Sequence, residues 1–194
     1  MTAQLAGVVL AGGGSRRMGR DKATIVVAGQ RLVDRAVAVL GQCCDDVMVA
    51  AGSRPLAVAG ARSISDAPSG EGPLAGIVGA LGAASAPLLA VIAVDMPNAS
   101  APVLQALAGV WDGEPAVVPD VGGHLQPLHA VYAVAWTARL AALLAAGERS
   151  PQAALTALGA RIAGLEVWGG LDPTGSFATN VNLPQDLAGF DQPR

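Results

Sequence analysis

A glycine-rich segment near the N-terminus carries the residues best suited to phosphate chemistry. It reads Leu10-Ala11-Gly12-Gly13-Gly14-Ser15-Arg16-Arg17-Met18-Gly19-Arg20-Asp21-Lys22. Glycines lack Cβ atoms, so a phosphate can approach the backbone and the N–H groups that follow them. Lys22 is the only lysine of the chain, since the other basic residues are all arginine. A compact ammonium beside such a loop suits a phosphate chain, so the segment predicts binding of a phosphorylated ligand.

The segment differs from two familiar nucleotide-binding motifs. A P-loop ends in Gly-Lys-Ser/Thr, whereas here Gly19 is followed by Arg20-Asp21-Lys22. A dinucleotide-binding fingerprint needs a third glycine where Arg17 stands and an acidic residue where the second strand ends, at Ala50-Ala51. A kinase or a dehydrogenase is therefore disfavoured. The alternative to a phosphate site is a glycine-rich turn without a ligand.

Two aspartates follow apolar segments that read as strands. Asp95 stands in Ala93-Val94-Asp95-Met96-Pro97, and a carboxylate there is costly unless it binds something. Asp95 could supply one oxygen ligand to a magnesium ion, or it could be a turn residue before Pro97. Asp66 precedes Gly70-Glu71-Gly72-Pro73-Leu74-Ala75-Gly76. Asp66 could accept hydrogen bonds from a nucleotide base, help to bind the metal, or be a turn residue.

The C-terminal half offers residues for a second pocket. A Gly122-Gly123 turn leads into His124-Leu125-Gln126-Pro127-Leu128-His129. The two histidines lack the spacing of metal ligands, so they are interpreted as loop and strand residues near a ligand. Asn180 and Asn182 fall on the same side of an extended segment. Their amides could read a polar heterocycle or a phosphate, or they could cap a turn.

Composition and charge exclude several function classes. The chain has 194 residues and a net charge of −3, which argues against a general nucleic-acid binder. No apolar run is long enough to span a bilayer, and residues 1–10 lack a signal-peptide pattern, so a cytoplasmic protein without membrane contact is expected. Cys43 and Cys44 form no metal-ligand pattern and are interpreted as plain thiols.

Apolar periodicity predicts strands that alternate with helices, which is typical of one α/β domain with a mostly parallel sheet over residues 1–194. The predicted strands are Gln4–Leu10, Asp46–Ala50, Arg62–Ser65, Pro87–Val94, Ala116–Pro119, Gln126–Tyr132 and Arg161–Val167. The predicted helices are Arg31–Leu40, Pro73–Ala84, Ala101–Ala108 with Ser100 as N-cap, Val134–Ala146, Pro151–Leu158 and one beginning at Pro184–Ala188. Ligands of such sheets bind beyond the carboxyl ends of the strands, where the glycine-rich segment and both aspartates fall.

These motifs together resemble the nucleotidyltransferases that transfer a nucleoside monophosphate from a nucleoside triphosphate. The Arg-Met-Gly-x-Asp-Lys ending of the glycine-rich segment is similar to that of the molybdenum cofactor guanylyltransferase (MobA) family. Four later segments agree with that family and follow in the same order: Gly72–Gly76, Val94–Pro97, Gln126–Leu128 before Tyr132, and Asn180–Pro184.

The resemblance implies a Rossmann-like three-layer sandwich of the nucleotide-diphospho-sugar transferase type. It implies transfer of GMP from GTP to molybdenum-bound molybdopterin, with Mg²⁺ as cofactor. Protein partners would be the molybdenum insertase and molybdoenzyme chaperones. The implied GTP contacts are Leu10, Ala11, Gly12, Gly13, Lys22, Asp66 and Asp95.

The resemblance also assigns the remaining roles. Asp95 would hold the metal as well as GTP, and Asn180 and Asn182 would face the acceptor. Since both reactants are anions, charge neutralisation is the principal barrier, and Arg16 is expected to help Lys22 to spread the phosphate charge. The family often has Asn where Ala50 stands, so contacts in that loop are open. Two other functions also remain open: a transferase that uses CTP or another acceptor, and a non-catalytic nucleotide-binding regulator on the same fold.

Overall fold

A single large β-sheet runs through the part of the chain that this computed structural model describes, which is residues 4–12, 22–52, 56–68, 71–181 and 186. Its strands are β1 (Leu5–Leu10), β4 (Asp46–Ala50), β5 (Arg62–Ile64), β6 (Leu88–Ala93), β7 (Ala116–Val121), β8 (His124–Leu125), β9 (His129–Ala133) and β10 (Arg161–Ala163). The short strands β2 (Val26–Val27) and β3 (Gln30–Arg31) form a separate hairpin.

The strand order brings several strand ends to one edge of the sheet. The order is β10-β7-β9-β6-β1-β4-β5, and β8 pairs with β7. The strands β6, β1, β4 and β5 are mutually parallel, whereas β9 is antiparallel to both β6 and β7. Because β9 is the reversed strand between them, β6 and β7 point the same way. The carboxyl ends of β1, β4, β6 and β7 therefore share one edge, where α/β sheets bind ligands.

Helices cover both faces of this sheet and give it three layers. The helices are α1 (Leu32–Leu40), α2 (Pro73–Ala83), α3 (Ala101–Gly109), α4 (Thr137–Ala145), α5 (Pro151–Leu158) and α6 (Leu165–Trp168). One core packs α1, α3 and α6 against the sheet, and the other packs α2, α4 and α5. The strands β1 and β6 are buried along their whole length, as expected for central parallel strands. The predicted three-layer α/β fold with a mostly parallel sheet is confirmed.

Most predicted elements form within a residue or two of their expected bounds. Asp46–Ala50 and Pro151–Leu158 match as predicted, and the Oγ of Ser100 accepts the N–H of Val103 at 3.4 Å, as an N-cap does. The helix predicted at Val134–Ala146 begins as a 3₁₀ turn before α4. The helix predicted at Pro184–Ala188 falls outside the described residues except for Asp186. None of the described helices has the length and apolar character needed to cross a membrane.

Two predicted strands are wrong in part, and tertiary contacts explain both. Arg161–Val167 forms a strand only to Ala163, after which α6 turns Trp168 into the core, where its indole N–H donates to the Ala163 carbonyl. The segment Gln126–Tyr132 becomes a strand only at His129. The Gln126 N–H instead donates to the Pro119 carbonyl, and this bond holds a turn between β8 and β9.

Candidate active site

The segment that leaves β1 is fastened to its neighbouring strands by backbone hydrogen bonds. The N–H groups of Ala11 and Gly12 both donate to the Ala50 carbonyl, at 2.8 and 3.0 Å. The N–H of Val94 donates to the Leu10 carbonyl at 3.1 Å. Leu10, Ala11 and Gly12 thus lie at the carboxyl edge as predicted from the sequence. Their two bonded N–H groups point at β4, so any backbone donors to a phosphate come from later residues.

Gly12 packs closely against the backbone after β4. A Cβ at Gly12 would lie 3.3 Å from the Gly52 nitrogen, which is tighter than an ordinary van der Waals contact. A side chain at this position would therefore require the Gly52 backbone to move by a few tenths of an ångström. The predicted site residues Gly13 and Arg16 lie outside the described residues.

Lys22 and Asp95 meet at the edge of the sheet, although 73 residues separate them in sequence. The Lys22 Nζ donates to the Asp95 Oδ2 at 2.8 Å, and the two side chains are 20% and 22% exposed. Lys22 opens a 3₁₀ turn, Lys22–Thr24, and Asp95 follows the end of β6. A positive and a negative group held together at partial exposure can share one phosphate-bearing ligand. The sequence predicted both residues, and the structure places them in contact.

A small cleft lies where β1 and β4 end, at the same edge of the sheet, with Asp66 in its wall. Its lining is Leu10, Gly12, Ala50, Asp66, Gly72, Pro73 and Gly76. The Asp66 Oδ1 is buried and has no hydrogen-bond partner among the described residues. Burial raises the pKa of Asp66, and a hydrogen bond from the Gly52 N–H partly opposes that rise. A buried acceptor that faces a cleft suits a ligand that brings its own N–H donors.

The position of Asp66 depends on a close approach of α2. A Cβ at Gly79 would lie 2.5 Å from the Ser65 carbonyl oxygen and 3.1 Å from the Ala67 nitrogen. Both atoms belong to the backbone that flanks Asp66, so they cannot move aside as a flexible side chain could. Glycine at 79 lets the helix pack directly on the segment that presents the carboxylate.

Substituting this glycine should therefore damage both stability and the site. We expect Gly79→Ala to lower the free energy of unfolding by about 1–3 kcal/mol through overpacking. The matched variant is Gly82→Ala in the same helix, where an added Cβ meets nothing within 4 Å. That variant should gain up to about 1 kcal/mol from helix propensity. Urea unfolding of both proteins measures the difference, and equal stability of the two would contradict this role for Gly79.

The predicted acceptor residues belong to a loop that returns to Asp95. The Val181 N–H donates to the Asp95 carbonyl at 2.8 Å, which brings the neighbouring Asn180 to the same edge of the sheet. Asn180 is exposed, and Asn182 lies outside the described residues. The structure thus places Asn180 next in sequence to the residue that is bonded to the Asp95 backbone.

A carboxylate that the sequence analysis missed organises this loop. Asp172 accepts the Phe177 N–H at 2.8 Å and the hydroxyls of Thr174 and Ser176 at 2.9 Å. Although burial raises the pKa of Asp172, these hydrogen bonds lower it below its ordinary value. The Asp-x-Thr-x-Ser spacing is a signal for such a turn, since short polar side chains there bond to nearby backbone.

His129 is fully buried and packs against Phe177 of the loop that carries Asn180. Its Nε2 accepts the Ser100 N–H at 3.0 Å, and its ring centroid lies 4.7 Å from that of Phe177. Burial lowers the pKa of His129 to about 4, so the ring is neutral at pH 7. His124 is exposed on β8. His129 thus links the start of α3 to the loop that carries Asn180.

A second missed carboxylate is Asp120, near the end of β7. Its Oδ1 is buried and has no hydrogen-bond partner within the described part of the chain. The signal was present in the sequence, because Asp120 follows the apolar run Ala116–Pro119 just as Asp95 follows Pro87–Val94. The rule that identified Asp66 and Asp95 therefore applies to Asp120 as well.

Comparison with known proteins gives a consistent family. The MobA-like NTP transferase domain family matches residues 7–162. Proteins named "probable molybdenum cofactor guanylyltransferase" from Chloroflexus aggregans and Mycobacterium avium are each 38% identical. The first alignment covers 94% of this chain and 91% of the relative, and the second covers 98% and 97%.

Solved structures agree in fold. The molybdopterin-guanine dinucleotide biosynthesis protein A from Archaeoglobus fulgidus superposes with a TM-score of 0.81, at 26% identity and 96% coverage of both chains. The 2-C-methyl-D-erythritol 4-phosphate cytidylyltransferase from Thermus thermophilus superposes with a TM-score of 0.64 at 24% identity. That match covers 95% of this chain and 96% of the other, and it speaks for the fold alone.

Proposed function

We infer that this chain, which belongs to the MobA-like NTP transferase family, is a molybdenum cofactor guanylyltransferase. It transfers GMP from GTP to the terminal phosphate of molybdenum-bound molybdopterin and releases pyrophosphate. The structural observation that best supports this function is the 2.8 Å contact between the Lys22 ammonium and the Asp95 carboxylate at the carboxyl edge of the sheet. Relatives with the same named activity cover almost the whole chain.

The reaction makes charge neutralisation the main task of the site. An oxygen of the acceptor phosphate forms a bond to the α-phosphorus of GTP, and the bond from that phosphorus to the bridging oxygen of pyrophosphate breaks. Both reactants are anions, so positioning and charge stabilisation account for most of the catalysis. A phosphate nucleophile is already ionised at pH 7, so the reaction needs no strong general base.

Lys22 is proposed to bind the triphosphate. Its ammonium would donate to phosphate oxygens, and it can do so by turning away from Asp95, because the pair is partly open to solvent. Arg16 and Gly13 stay predictions for the same phosphate group, since both lie outside the described residues. The N–H groups of Ala11 and Gly12 donate to the Ala50 carbonyl, so they do not bind phosphate. These two residues would instead position the glycine-rich segment beside the nucleotide.

Asp95 fits a magnesium ion that takes most of its ligands from phosphates. No group of three metal-ligating side chains occurs among residues 4–12, 22–52, 56–68, 71–181 and 186, so the protein itself would offer little beyond this one carboxylate. Magnesium is suited to such a site, because it binds through one or two carboxylates together with substrate phosphates and water. When bound, Mg²⁺ would draw charge from the phosphate oxygens. Asp95 would then hold that ion, while the Lys22 ammonium would contact the phosphate oxygens.

Asp66 is proposed to select guanine. Guanine presents N1–H and a 2-amino group side by side, and a carboxylate can accept from both at once. Cytosine presents an amino group beside an unprotonated N3, which a carboxylate would repel. The unpaired Asp66 Oδ1 in the cleft wall supports this role, with Leu10, Gly12 and Ala50 as walls for the base. This role favours GTP over the CTP alternative.

Nucleotide binding tests the proposed selectivity. We expect GTP with Mg²⁺ to raise the melting temperature more than CTP, ATP or UTP. Asp66→Asn should weaken GTP binding about 10–100-fold, because an amide N–H₂ would oppose one guanine donor. Asp45→Asn, an exposed carboxylate beside β4, is the matched control and should bind GTP normally. A melting shift confined to CTP would instead favour the cytidylyl reaction.

The remaining assignments are part of the same proposal. Asn180 and Asn182 would contact the acceptor, and the Val181 bond to Asp95 supports the placement of the first of them. Residues 1–194 would act as one nucleotidyltransferase domain. A cytoplasmic location and contacts with the molybdenum insertase and molybdoenzyme chaperones stay predictions from the sequence.

A further inference from the structure

We propose that Asp120, with the apolar cavity beside it, binds the pterin ring of the acceptor. This inference rests on the proposed function, because it assigns a second half to the substrate site. The cavity, called the pterin slot below, has a volume of about 170 Å³. Its apolar walls include Val118, Leu125, Pro127, Leu155 and Ile162, with Thr156 at its border.

Asp120 is not one of the residues that line this slot, but the register of the sheet places it beside one of the lining residues. Ile162 of β10 pairs with Val118 of β7, and Leu125 of β8 pairs with Asp120. Val118 and Asp120 are two residues apart on one strand, so they point to the same face of the sheet. The Asp120 carboxylate is therefore next to the Leu125 wall and on the face that holds the slot.

Asp120 has an acceptor that is free to bind a ligand. Its Oδ1 is buried from water and has no hydrogen-bond partner among the described residues. A buried acceptor of this kind usually has a partner, and a ligand can supply one. The neighbouring walls are apolar, so the slot suits a flat ring whose one polar edge carries N–H donors.

A pterin has that chemistry. Its 2-amino-4-oxopyrimidine ring carries N3–H and a 2-amino group on adjacent positions, and a carboxylate can accept both hydrogen bonds at once. The faces of the fused rings are apolar and can lie against Val118 and Ile162. Asp120 would thus accept the same pair of hydrogen bonds from the pterin that Asp66 is proposed to accept from guanine, since both rings present an N–H beside an amino group.

The distance to the reacting phosphate also fits the acceptor. Asp95 follows β6, and Asp120 is the second-last residue of β7. Only β9 lies between those strands, so two strand spacings of roughly 5 Å each separate them. Molybdopterin carries its phosphate at one end and its pterin ring at the other. The phosphate could therefore lie at Asp95 while the ring occupies the slot.

The loop of the predicted acceptor residues spans this gap. A Cβ at Gly175 would lie 2.6 Å from Val121 at the end of β7, so the loop begins in close contact with that strand. It ends at Val181, whose N–H donates to Asp95. Asn180 therefore lies on the path between the two ends proposed for the substrate.

Direct pterin binding tests the inference without the complete acceptor. The probe is 6-hydroxymethylpterin, titrated by its fluorescence, and the ligand control is the 2,4-dioxo analogue, which lacks the 2-amino group. We expect Asp120→Asn to weaken pterin binding at least about tenfold and to remove the preference over the dioxo analogue. Asp112→Asn, an exposed carboxylate before the start of β7, should change neither. Equal pterin affinity of wild type and Asp120→Asn would overturn the inference.

A second variant and a second measurement separate the possible failures. Ile162→Trp fills the slot from an exposed position and should also weaken pterin binding, which provides a test if Asp120→Asn does not fold. In the transfer assay, Asp120→Asn should raise the KM for molybdopterin about tenfold and leave the KM for GTP unchanged. An unchanged KM for molybdopterin in an active enzyme would overturn this inference alone. Asp120-dependent pterin binding without any guanylyl transfer by the wild type would overturn the proposed function alone.

Discussion

Replacing Lys22 by alanine is expected to lower kcat/KM for guanylyl transfer by about 10²–10³, because one preorganised donor at the reacting phosphates is lost. The chain has no other lysine, and the structure places this ammonium 2.8 Å from Asp95. Stability should fall by about 1–3 kcal/mol, since the side chains of the pair are 20% and 22% exposed and the variant leaves the Asp95 carboxylate without its cation. Initial rates with saturating molybdopterin and varied GTP, with urea unfolding alongside, give both quantities.

Two further variants sharpen this prediction. Lys22→Arg keeps the charge but replaces the compact ammonium by a planar guanidinium, so it should retain only part of the wild-type transfer rate. Arg139→Ala removes an exposed cation that lies 4.7 Å from the centre of the Trp136 ring. Its helix follows Val134, which is bonded to Pro87 at the amino end of β6, opposite to Asp95, so this variant should leave the rate unchanged. Full turnover by Lys22→Ala would exclude a role for the ammonium in the reaction.

The second large effect is expected for Asp95→Asn. The variant keeps the shape of the side chain and one oxygen, but it loses the charge that would hold a divalent cation. We expect transfer to fall about 10²–10³-fold, comparable to the loss of other charge-stabilising groups. Without metal, GTP should bind the variant as tightly as the wild type or more tightly, because a negative charge beside the triphosphate is gone.

The metal dependence separates this role from a structural one. Mg²⁺ should strengthen GTP binding to the wild type and have little effect on Asp95→Asn. The two should be compared by calorimetric titration with and without Mg²⁺, and Asp112→Asn is the control. If Mg²⁺ strengthens binding equally in Asp95→Asn and the wild type, the carboxylate does not hold the ion.

The candidate site is predictable from the sequence because one simple rule applies to it. Parallel strands end at a common edge, so carboxylates that follow these strands converge there. This rule selects Asp66 and Asp95. It applies equally to Asp120, which follows the apolar run Ala116–Pro119, although the strand itself continues to Val121. The extra residues follow from the pairing with β8, a long-range contact that periodicity does not report.

Backbone contacts explain two features of the glycine-rich region that the sequence alone does not determine. The sequence analysis left the contacts around Ala50 open, because the family often has Asn there. In the structure the Ala50 carbonyl accepts from Ala11 and Gly12, and that bond does not depend on the side chain. The close approach at Gly12 is to Gly52, a neighbour brought near by the pairing of β1 with β4. Neither contact can be deduced from local sequence.

The residues at which strands and helices end also could not be predicted from the sequence. Residues Arg161–Val167 alternate well enough to read as one strand, but Trp168 is 2% exposed and must reach the core. A short helix after Ala163 achieves this burial. Tertiary packing therefore overrode local preference at this position, as it often does for short apolar segments.

The most direct test follows the α-phosphate of GTP. GTP labelled at that phosphate is incubated with molybdenum-bound molybdopterin and Mg²⁺, using wild type and the folded double variant Lys22→Ala/Asp95→Asn. We predict that wild type places the label in the guanine dinucleotide product with release of unlabelled pyrophosphate, and that the double variant forms no product. Labelled product formed by the double variant at the wild-type rate would contradict the account.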